Sequence, residues 1–80
     1  MKLPRDLSGE ELSRALRKRG YHVSRQTGSH VRLSTTERGE HHITIPNHAS
    51  LRVGTLSAIL SEVAEHFDMT REALVEYLFK

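Results

Sequence analysis

YHVSRQTGSHVRLSTTERGEHHITIP, residues 21–46, carries three runs with the period of β-strands. Apolar and polar residues alternate through Tyr21–Arg25, His30–Ser34 and His42–Ile45, the period of half-buried β-strands. The breaks between them, Gln26-Thr27-Gly28 and Thr36 to Glu40, are too short to hold a crossover helix, so the strands form an antiparallel meander. In that register Tyr21, Val23, Val31, Leu33, Ile43 and Ile45 face a core. His22, Ser24, His30, Arg32, His42 and Thr44 then share the opposite, open face. Pro46 lacks an N–H and cannot continue a central strand, so Asn47 to Val53 reads as a connecting loop.

Helices flank this meander. Upstream, Ser8-Gly9-Glu10-Glu11 has the spacing of a capping box, with Leu7 placed to staple onto Leu12. The helix is expected to run to about Arg19, ended by Gly20 in a left-handed conformation. Leu12, Ala15 and Leu16 mark its apolar face, and Arg14, Arg17 and Lys18 form a basic stripe that faces either solvent or phosphates. Downstream, Leu56, Ile59, Leu60, Val63 and Phe67 recur at the spacing of a buried helical stripe, in a helix starting near Gly54 or Thr55. Asp68-Met69-Thr70 interrupts it. Thr70 caps a short last helix whose Leu74, Val75, Leu78 and Phe79 either close the core or offer an apolar patch. The expected architecture is one α+β domain over residues 1–80, with a three-stranded antiparallel sheet packed on helices.

A chain of 80 residues supports one modest core, and with no cysteine that core rests on apolar packing alone. No apolar run approaches the roughly 20 residues of a membrane-spanning helix, and Met1 to Arg5 lacks the apolar segment of a signal peptide. A cytoplasmic location is the expectation. Charge is uneven: residues 1–52 carry ten Lys or Arg against five acids, a net +5, whereas residues 53–80 carry two against five, a net −3. Nine of the twelve bases are Arg, whose planar fork suits phosphate, so a polyanion is the expected partner of the front half.

Gly28-Ser29-His30 places an imidazole just past a turn, at the mouth of a strand and within the basic half. Cleaving RNA without a metal requires removing a proton from a ribose 2′-hydroxyl, stabilising charge on the phosphoryl oxygens and protonating the leaving 5′-oxygen. His30 is the candidate acid or base, with Arg25 and Arg32 as phosphate holders and Ser29 orienting either the ring or the substrate. His48, in the loop after Pro46 and close in sequence to a helix start, is the candidate second proton carrier. Its other reading is a loop residue that fixes the turn through the backbone. Arg14, Arg17, Lys18 and Arg52 complete the candidate RNA-binding set. Neighbours on a strand point to opposite faces, so His41 and His42 do not converge on a metal, and neither metal nor cofactor is expected. With two Tyr, two Phe and no Trp, a base-stacking platform is not expected either.

Five pieces taken together carry a family resemblance: the capped first helix, Lys18-Arg19-Gly20-Tyr21, Gly28-Ser29-His30, Ile43-Thr44-Ile45-Pro46-Asn47-His48, and Gly54-Thr55-Leu56 with Ile59-Leu60. Over roughly residues 8–66 the chain resembles the HicA toxins of HicAB toxin–antitoxin systems. The resemblance implies a fold like the double-stranded-RNA-binding domain, ribonuclease activity on messenger RNA with the catalytic histidine at His30, and neutralisation by a HicB-like protein antitoxin. Acidic groups of such a partner would be steered toward Arg14, Arg17, Arg32 and Arg52. The competing function is a non-catalytic module that recognises duplex RNA through phosphate and 2′-hydroxyl contacts.

Overall fold

Ser8 starts the first helix as its sequence dictates. In the computed structural model, which describes residues 3–80, Ser8 Oγ accepts from the Glu11 amide at 3.0 Å and the Ser8 amide donates to Glu11 Oε1 at 2.9 Å. Met1 and Lys2, the first residues of the expected domain, lie outside the described residues. Helix α1 spans Gly9–Arg17, and residues 18–20 continue as a turn. Gly20 takes φ +98°, with the Gly20 and Tyr21 amides donating back to Arg17 and Leu16 carbonyls at 3.1 and 3.2 Å. This pairing satisfies the last carbonyls of the helix and requires a left-handed residue at Gly20.

Strands β1 (His22–Thr27), β2 (His30–Thr35) and β3 (His41–Pro46) form an antiparallel sheet in the order β1-β2-β3. Pro46 ends an edge strand, where its missing N–H costs no ladder bond. Strand β3 begins one residue earlier than expected, which puts His41 in phase with Ile43 and Ile45 on the helix side.

The edge strand β1 departs from strict alternation. Val23 pairs with Leu33 but Arg25 pairs with Arg32, so Ser24 is an extra residue in a β-bulge. Two expectations change. Val23 keeps its place toward the helices yet is 36% exposed, because β1 lies at the rim of the sheet and α1 covers it incompletely. Arg25, which strict alternation would place with Tyr21 and Val23, instead shares the open face with Arg32.

Helix α2 (Val53–His66) starts just before the expected Gly54, with Arg52 at its N-cap and no side-chain cap. Phe67 caps its end, and Asp68 just beyond takes φ +55° while the Asp68 and Met69 amides donate to Glu65 and Ala64 carbonyls. Thr70 caps α3 (Arg71–Phe79) by accepting from the Ala73 amide at 3.0 Å. The open choice for α3 is settled: Leu74, Val75 and Leu78 are buried and close the core beside Leu12, Leu16, Leu33, Ile45, Leu60 and Val63. The fold is α+β, an open three-stranded sheet backed by helices on one face. No helix among the described residues is long and apolar enough to cross a membrane.

Candidate functional site

His30 is the first residue of the central strand, and its side chain is exposed on the open face. Two structural choices put it there. The tight turn at Gly28-Ser29 returns the chain into β2, pairing His30 with Thr27 on one side and Pro46 on the other. Ser29 Oγ lies 2.9 Å from His30 Nδ1, which fixes one ring nitrogen and leaves Nε2 pointing away from the hydroxyl. Arg25, Thr27, His30, Arg32 and Thr44 line one shallow cavity of about 150 Å³.

Arg25 and Arg32 stand directly opposite each other across two strands. Like charges so placed repel. Among the described residues the carboxylates within reach of a basic side chain are Glu10 at Arg14, Glu62 at His41 and Glu40 at His42, so neither guanidinium has a carboxylate. Such a pair is matched by an anion with two acceptor edges, which a phosphodiester supplies.

His48 reaches the same end of the molecule through its backbone. The Asn47 amide donates to the Ser29 carbonyl at 2.8 Å, and the His48 carbonyl accepts from the Gly9 amide at 2.9 Å. A Cβ on Gly9 would collide with the Pro46 carbonyl oxygen, so glycine permits this close approach of the loop to α1. The helix start beside His48 is therefore that of α1, not the α2 start to which it is close in sequence. His48 is exposed.

The remaining basic candidates divide. Arg14 and Arg17 line a separate groove of about 260 Å³ on the helix side, with Val23, Gln26, Val31 and Asn47. Arg14 also pairs with Glu10 at 2.9 Å, an exposed helical pair. Lys18 is engaged elsewhere: its Nζ donates to the Leu78 carbonyl at 3.2 Å, satisfying the end of α3, while its own carbonyl accepts from Tyr77. Arg52 is exposed at the N-cap of α2 and does not line the His30 cavity. The structure thus gathers Ser29, His30, Arg25 and Arg32, and leaves Arg14, Arg17, Lys18 and Arg52 apart from them.

A second polar cluster escapes the sequence reading. Tyr21 Oη lies 2.7 Å from His41 Nδ1, His41 Nε2 lies 3.3 Å from Glu62 Oε2, and the His41 ring stacks on His66 at 4.4 Å. His66 Nε2 donates to the Glu37 carbonyl at 2.9 Å. Burial pushes the Tyr21 hydroxyl up to about 12, aided by the Glu62 charge. Burial also holds His41 below its ordinary value, helped by His66 and opposed by Glu62. The signal that finds this cluster is the phase of His41 with Ile43 and Ile45. His42 points the other way, to Ser34 and Glu40, and among the described residues no group of acids and histidines is arranged to hold a metal ion.

No curated protein and no solved structure matches the chain. The model of the HicA toxin of bacterial toxin–antitoxin systems matches residues 9–64. That span runs from the first residue of α1, through the whole sheet and the His30 cavity, into the last turns of α2. It covers more than half of the chain, and the protein belongs to the HicA toxin family.

Proposed function

We propose that this protein is an endoribonuclease that cleaves messenger RNA without a metal ion, with His30 as the proton carrier, and that a HicB-like antitoxin restrains it. The observation that carries this reading is the pairing of an exposed imidazole with two facing, carboxylate-free guanidiniums in one cavity. In the base role, His30 Nδ1–H donates to Ser29 Oγ and the Nε2 lone pair takes the ribose 2′-proton. The 2′-oxygen then attacks the adjacent phosphorus, Arg25 and Arg32 hold the phosphoryl oxygens as charge develops, and the P–O5′ bond breaks. A proton must reach the leaving 5′-oxygen. His48, on the loop tied to Ser29, is the proposed donor. The products are a 2′,3′-cyclic phosphate and a 5′-hydroxyl.

The test is RNA cleavage by purified protein in chelator, comparing the natural sequence with His30→Ala. Metal-independent cleavage lost in the variant supports the reading. Cleavage that survives the substitution refutes the assignment of His30. RNA that is bound by both proteins and cut by neither favours a non-catalytic binding module.

A further inference from the structure

The bulge that brings Arg25 beside Arg32 is held by a chain of side-chain hydrogen bonds on the open face. Ser24 Oγ, on the extra residue itself, donates to the Arg32 carbonyl at 3.2 Å. Ser34 Oγ donates to Ser24 Oγ at 2.7 Å and contacts His42 Nδ1. His42 Nε2 in turn lies 2.8 Å from Glu40 Oε2. With a proton on each ring nitrogen of His42, one donor serves each link: His42 to Glu40 and to Ser34, Ser34 to Ser24, Ser24 to the backbone of Arg32. Ser34 is 6% exposed, so its hydroxyl has little water to fall back on if a link is broken.

Such a chain has a physical task. Facing guanidiniums on neighbouring strands repel, and β1 is an edge strand with no strand on its outer side to hold it in register. An edge strand with one extra residue has a competing alternation in which Arg25 returns to the helix side. The contacts of Ser24 and Ser34 oppose both outcomes.

We propose that Ser24, Ser34, His42 and Glu40 are positioning residues that lock the β1 bulge and thereby set Arg25 against the substrate phosphate next to His30. None of the four lines the His30 cavity; they act through Arg25. The proposal rests on the assignment of this cavity to RNA phosphate, but not on cleavage.

A double-mutant cycle tests it. RNA oligonucleotide affinity is measured for Ser34→Ala, Arg25→Ala and the double variant, all in a His30→Ala background so that the probe stays intact. Each single change weakens binding by about tenfold, the scale of one phosphate-directed hydrogen bond, and the double variant binds no worse than Arg25→Ala alone. Ser34→Thr keeps the hydroxyl and preserves affinity. Deleting Ser24 removes the extra residue while leaving Val23 opposite Leu33 and Arg25 opposite Arg32, so the deletion restores binding to Ser34→Ala. Losses that simply add, or a Ser34→Ala protein that binds like its parent, overturn the proposal. A readout without RNA guards against failure of the functional reading: the cross-strand amide-to-amide contact between Arg25 and Arg32, expected of a hydrogen-bonded antiparallel pair, is present by NMR in the natural sequence and lost in Ser34→Ala. Persistence of that contact also overturns it, whereas an intact cycle without cleavage in the His30 protein refutes only the nuclease.

Discussion

His30 and His41 open neighbouring strands, at opposite ends of one ladder and on opposite faces of one sheet: His30 pairs with Pro46, and His41 with Thr35. His30 is exposed, with a hydrogen bond to one ring nitrogen and two guanidiniums beside it. His41 is half-buried, with one nitrogen on Tyr21, the other on Glu62 and its ring face on His66. Residue type alone therefore does not mark a reactive imidazole. A ring with both nitrogens engaged in packing is part of the scaffold, and one with a free nitrogen among unmatched cations is available for chemistry.

The comparison breaks most sharply under substitution. His30→Ala lowers the cleavage rate by at least about 100-fold, the usual range for a lost acid or base, and shifts stability by less than about 0.5 kcal/mol as an exposed side chain. Thermal unfolding and a cleavage time course on the same samples check both halves. His41→Ala does the reverse. It leaves Tyr21 and Glu62 without their shared partner and costs about 1–3 kcal/mol, read as a fall in Tm of several degrees, with the cleavage rate of the folded protein within about twofold. A His41→Ala protein as stable as its parent would remove the distinction.

Acidity sharpens the contrast. His41 has a folded-state pKa below its ordinary value, so the unfolded chain takes up the proton more readily, and stability present above about pH 6.5 declines as pH falls below it. Tyr21 runs opposite. Its folded-state value near 12 lies above the ordinary 10, so stability held below pH 10 is lost as pH rises toward 12. Urea denaturation across pH is expected to show the acid-side slope in the natural sequence and a flatter slope in His41→Gln. The smallest effect belongs to Asp68, a residue at φ +55° that ends α2 where glycine is unstrained. Asp68→Gly should stabilise by about 0.5 kcal/mol and leave RNA cleavage unchanged, by Tm and the same assay.

Much of this architecture was legible because its determinants are local. The Ser8–Glu11 capping box, Gly20 as terminator, the stripe from Leu56 to Val63 and the Thr70 cap are each written within a few residues. Two strand features were not. Strict alternation cannot register an extra residue, so the exposure of Val23 and the face of Arg25 emerge only once the Ser24 bulge is seen against β2. The start of β3 at His41 was missed because the alternation counted from His42 to Ile45 leaves His41 unassigned between the Thr36–Glu40 break and the strand. For the candidate site, the turn at Gly28 and the type of residue 30 identify the imidazole, but Lys18 illustrates the limit. Its place in a basic stripe says nothing of the Leu78 carbonyl that a helix sixty residues further on brings to it.

The proposed role of His30 is to move a proton during RNA cleavage, and the end-groups left on a defined RNA after incubation with purified protein in chelator report on that step. Expected are 2′,3′-cyclic phosphate and 5′-hydroxyl termini from the natural sequence, and intact but bound RNA from His30→Ala. Fragments with 3′-hydroxyl and 5′-phosphate ends, or cyclic phosphate ends still produced by His30→Ala, would contradict it.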